Sequence, residues 1–112
     1  MMTRSEESNP VMAQLTEQEF SRHLNSRFYV KFSDGDLPLD LVEVTAYRPQ
    51  EHEEKGMERF SAVFSCPANL LLPQGLYHLS HEQMGELDIF LVPVTPNQRG
   101  PQYEAVFNYY RD

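Results

Sequence analysis

Cysteine is all but missing from this chain: Cys66 is the only one among 112 residues. A lone thiol closes no intramolecular disulfide, which excludes a stapled secreted scaffold. No Gly-rich phosphate-cradling loop and no Gly-x-Ser-x-Gly nucleophile elbow occurs, so two common routes to catalysis lack their signatures. No window approaches the ~20 consecutive apolar residues of a membrane-spanning helix. The opening Met1-Met2-Thr3-Arg4-Ser5-Glu6-Glu7-Ser8 carries acids and no apolar centre, unlike a signal peptide. A soluble, cytoplasmic protein is the expectation. Cations are scarce as well, with 9 Lys and Arg against 17 acids and a net charge of -8. Arg22, Arg27, Lys31 and Arg48 are too thinly spread to build a phosphate-binding patch, which argues against nucleic acid and anionic membrane as partners.

What is present fits one domain that buries roughly 65% of its unfolded surface. Residues 1–14 are polar and aperiodic and read as a flexible tail, leaving 15–112 as the domain. Thr16-Glu17-Gln18-Glu19 has the form of a capping box, with the Thr16 hydroxyl accepting from the Glu19 N–H and the Glu19 carboxylate reaching back. Leu15 is placed to staple onto Phe20, and Phe20 with Leu24 makes an apolar stripe for a short helix docked on a sheet.

Beyond it the period changes from helical to alternating. Phe28, Val30 and Phe32 share one strand face, and Asp34-Gly35 supplies the following turn. Leu39 to Tyr47 gives a second strand. Its apolar side is less clear, with Leu39 and Leu41 on one face and Val42, Val44 and Ala46 on the other, as a β-bulge or a curling sheet would cause. Arg48 to Gly56 is a charged surface loop. Phe60, Ala62 and Phe64 face inward from a third strand ended by Cys66-Pro67, and Leu70-Leu71-Leu72 is expected to lie against the core. Tyr77 and Leu79 mark a fourth strand. Leu87 to Val94 is the most apolar run and predicts a central strand covered on both faces. A polar loop, Thr95 to Pro101, leads to a sixth strand, in which Tyr103, Ala105, Phe107 and Tyr109 alternate with Glu104, Val106, Asn108 and Tyr110. Short strands joined by turns imply an all-β fold, an antiparallel barrel or small sandwich of about six strands with one short N-terminal helix.

Several of these segments recur together elsewhere. Phe60-Ser61-Ala62-Val63-Phe64, Gln74-Gly75-Leu76-Tyr77-His78-Leu79-Ser80-His81, Phe90-Leu91-Val92-Pro93-Val94 and Tyr103-Glu104-Ala105-Val106-Phe107-Asn108 resemble, in this order, an uncharacterised family of small bacterial domains. The likeness runs from about Leu15 to Asn108. It implies no catalytic residue. It does imply an accessory or assembly role beside phage-tail-like proteins.

Chemistry could reside in His78-Leu79-Ser80-His81-Glu82 with Glu86 and Glu104, since two imidazoles and carboxylates are the makings of a metal or acid–base site. Residues three apart on a strand point to opposite faces, however, so no metal or cofactor is expected. Glu104 sits in an apolar strand, on one face with Asn108. Cys66 has no sequence neighbour to lower its pKa and reads as an inert thiol. Tyr103, Asn108, Tyr109 and Tyr110 form the expected contact surface, because Tyr combines a rigid apolar body with a polar tip. The first functional reading is therefore a non-catalytic protein-interaction or assembly module, with a protein partner or self-association. The alternatives are a small metal-dependent or acid–base enzyme using His78, His81 and Glu104, and a small-molecule-binding barrel.

Overall fold

The computed structural model describes residues 16–46, 57–98 and 100–110. They form one helix, α1 (Glu17–Arg22), and six strands: β1 (Arg27–Phe32), β2 (Gly35–Ala46), β3 (Met57–Ser65), β4 (Gly75–His81), β5 (Gly85–Asn97) and β6 (Gly100–Tyr110). Every pairing is antiparallel, in the order β1-β2-β3-β6-β5-β4, and β4 returns to β1 to close the ring. The all-β, six-stranded antiparallel architecture with one short helix is thus what the sequence adopts. The expected tail 1–14, Leu15, and the charged loop from Arg48 to Gly56 lie outside the described residues.

Alternation drives the closure. Phe28, Val30, Leu39, Leu41, Phe60, Ala62, Phe64, Leu79, Leu91 and Ala105 are fully buried inside the ring at alternate positions of their strands, and on β3 the intervening Ser61 and Ser65 are buried as well. The interior is filled by side chains, as a six-stranded ring of this size requires. Of the two causes of the unclear apolar side of β2, the structure has the bulge, between Leu41 and Glu43, where the β2–β3 register shifts. One extra residue there turns Val44 back toward the core, against which it packs.

Helix α1 closes one end. The Thr16 hydroxyl accepts from the Glu19 N–H at 3.1 Å, as the capping box requires. The reciprocal half is not made, because the Glu19 carboxylate turns forward to Arg22 at 2.9 Å and His23 at 3.3 Å. Phe20 enters the ring and meets Phe28, Phe60 and Phe107 at centroid separations of 6.3, 5.6 and 5.3 Å. Leu24 stays 41% exposed, so the apolar stripe narrows to a single aromatic plug.

Three further expectations need correcting. The Leu87–Val94 run is covered on one face only: Leu87, Ile89 and Leu91 are buried, whereas Phe90 and Val92 point outward. Among the described residues, no second layer packs over this outer wall. Leu70 and Leu71 are exposed and only Leu72 packs on the core. Last, the polar loop after Val94 is a tight hairpin in which Asn97 pairs with Gly100, and Gly100 sits at φ 104, where a side chain would be strained.

The ring is unevenly sewn. Pairing of β5 with β6 covers Val92↔Glu104, Pro93↔Tyr103, Val94↔Gln102 and Asn97↔Gly100. Among the described residues, β6 from Ala105 to Tyr110 pairs with β3 alone, and β5 from Gly85 to Leu91 pairs with β4 alone.

Candidate functional site

The two histidines singled out by the sequence sit on opposite faces of β4. His78 points outward and half-exposed, with Nδ1 2.8 Å from Asp88 and Nε2 against Glu86. Carboxylates only accept, so both contacts are hydrogen bonds when both ring nitrogens carry protons. The bonds to Asp88 and Glu86 raise the pKa of His78 above its ordinary value. The ring is held on the surface between two acids that favour its charged form.

His81 points inward and is nearly buried, at the junction of β4, α1 and β1. Its Nδ1 accepts the backbone N–H groups of Gln83 and Met84 at 3.0 and 3.1 Å. The ring proton therefore sits on Nε2, which donates to Ser26 Oγ at 2.8 Å, and Ser26 in turn donates to the His23 carbonyl. A serine beside a histidine invites comparison with a nucleophile and its base. Here the proton runs the wrong way, because a base must offer the hydroxyl a lone pair. Burial, then repulsion from His23, lowers the pKa of His81 and keeps the ring neutral. The chain of bonds ties the segment after α1 to the β4–β5 turn.

Glu104 lies elsewhere again. It is outward on β6, between Val63 of β3 and Val92 of β5. Along β5, Val92 is four residues from Asp88, the cross-strand partner of His78, a separation of about 14 Å at ~3.4 Å per residue. His78, His81 and Glu104 consequently occupy three separate environments. Among the described residues, no group of three or more His, Cys, Asp or Glu side chains is placed to hold a metal ion. Cys66 is fully buried, and its N–H is bound to the Pro101 carbonyl at 2.9 Å.

The expected aromatic contact surface divides in the same way. Tyr103 is buried at 1% exposure, with its hydroxyl donating to the Leu70 carbonyl at 3.0 Å and accepting from the Leu72 N–H at 2.7 Å. It pins the β3–β4 loop and is not available for contact. Tyr109 packs in part on the core, while Asn108 is exposed, and of Tyr110 only the backbone is described.

The surface that the outer wall does present was not assembled from the sequence. Leu76 is directly opposite Phe90, Val92 follows two residues along β5, and Val106 follows Glu104 by two on β6. Their exposures are 68, 49, 36 and 62% respectively. Cross-strand and i,i+2 neighbours share one face, so Leu76, Phe90 and Val92 make an exposed apolar stripe over β4 and β5, and Val106 extends it onto β6 on the far side of Glu104. Glu104 lies within it and, among the described residues, makes no ion pair. Beside it opens a cavity of about 350 Å³ lined by Arg59, Val106, Phe107 and Asn108. A second cleft, of about 480 Å³ near Pro67, contains Arg27 and Asp40, whose side chains bond each other at 2.8 and 3.2 Å. The signal for the stripe was the Leu87–Val94 run itself, apolar at both parities.

Taken together, the closed antiparallel ring, its helical plug and its apolar outer stripe define a small β-domain whose distinctive chemistry is on its outside. No helix among the described residues is long and apolar enough to cross a membrane. The family model described as "Domain of unknown function (DUF6916)" matches residues 15–107, and the chain belongs to that family. No curated protein and no solved structure matches it.

Proposed function

We propose that this protein is a non-catalytic interaction module that uses the outer wall of β4, β5 and β6 to bind another protein. The observation that carries this is the stripe of Leu76, Phe90, Val92 and Val106, which remains in water although its inward neighbours are buried. Exposed apolar residues scattered singly need no explanation, but a set of neighbours on one sheet face is the mark of a contact surface. An accessory part in the assembly of a phage-tail-like system is the setting in which the proposal places it.

The test is a paired substitution, Phe90→Glu with Val106→Glu, in cells of the source organism. The variant folds with unchanged thermal stability and loses a partner that co-purifies stoichiometrically with the natural chain. If the same proteins co-purify in the same amounts with both forms, the outer wall is not the contact surface and the proposal fails.

A further inference from the structure

Resting on that reading, we infer that the partner enters as an extended strand which adds to the edge of β6 along Ala105–Asn108 and brings a Lys or Arg to Glu104. Two observations converge on this segment. Ala105 to Tyr110 pairs with β3 alone among the described residues, and in an antiparallel ladder every second residue directs its N–H and C=O away from that neighbour. Such an edge is completed by another extended backbone, and neither a helix nor a small molecule can supply the same row of bonds. The cavity of about 350 Å³ lined by Arg59 of β3 and by Val106, Phe107 and Asn108 of β6 leaves room next to this segment for the side chains of an incoming strand.

Charge identifies the occupant further. Glu104 lies among Val63, Val92 and Val106 without an ion-pair partner among the described residues, whereas Glu86 and Asp88 further along the neighbouring strand are both taken up by His78. Covering a carboxylate with apolar surface is costly unless a cation comes with it. A second copy of this chain, itself at -8, would bring another acidic field to the same place. The fitting partner is a different protein, with a segment that alternates apolar and basic side chains.

Titration of the isotope-labelled full chain with a short synthetic peptide of alternating Val and Lys tests this, with a Val and Glu peptide as control. The basic peptide slows amide exchange at alternate residues of Ala105–Asn108, and the acidic one does not bind. Glu104→Gln, which leaves the folded spectrum intact, weakens the basic peptide about threefold and flattens its salt dependence. Equal affinity for the two peptides, protection at another edge, no binding at millimolar peptide, or dimerisation of the chain through this edge overturns the inference. Loss of strand addition while Phe90→Glu with Val106→Glu still abolishes co-purification would leave the interaction module standing and remove only its mode of binding.

Discussion

Ser26 Oγ and His81 Nε2 lie 2.8 Å apart, 55 positions distant in sequence, with the imidazole as donor. That direction sets the pH response. Protonating His81 requires a proton on Nδ1, which already accepts two backbone N–H bonds, and puts a charge beside the His23 ring. The folded-state pKa is therefore below the unfolded value near 6.5. The contribution of His81 is full above that value and is lost as pH falls through the lower folded-state pKa. Urea unfolding at stepped pH shows this acid loss, and His81→Asn, whose Oδ1 can take the same two N–H bonds, reduces it.

His78 titrates in the opposite sense. Its pKa is raised by Asp88 and Glu86, so its contribution is present below the ordinary His range and fades as pH rises through the folded-state value. Solvent screening keeps the energetic effect small. In an NMR titration the His78 ring protons move at higher pH than those of His81, and Asp88→Asn brings the His78 midpoint down.

Neighbours along β5 differ in kind. Ile89→Ala empties a packed site and costs about 2–5 kcal/mol, whereas Phe90→Ser falls within about 0.5 kcal/mol of the natural chain. Chemical denaturation of the two variants decides it. Comparable losses would mean that Phe90 belongs to the core.

Tyr103→Phe removes one hydroxyl and leaves two loop backbone groups without their partner. The expected cost is about 1–3 kcal/mol, with faster amide exchange at Leu72. A change confined to stability, with β4 and β5 amides unaffected, fits a tether for the β3–β4 loop.

Much of this was legible in the sequence because alternation and capping are local. Phe60, Ala62 and Phe64 had to face inward together, Thr16 had to cap, and the change of apolar side after Leu41 left only a bulge or a curling sheet to choose between. His78 and His81, three apart on a strand, had to diverge. The misreadings concern what only closure decides. Whether the second face of Leu87–Val94 is covered depends on a layer that this chain does not build from its described residues. Leu70 and Leu71 read as core because hydrophobicity does not reveal that the Tyr103 hydroxyl holds the loop through its backbone instead. The Ser26–His81 bond joins segments too far apart for any motif to register.

The most direct test of the central claim is site-specific photo-crosslinking in the source cells, with a photoreactive residue at Phe90 and, as control, at Tyr29, which is similarly exposed on β1 outside the stripe. The account predicts a discrete adduct with one other protein from position 90 and none from position 29. Equal labelling from both positions, or no adduct at Phe90, would contradict it.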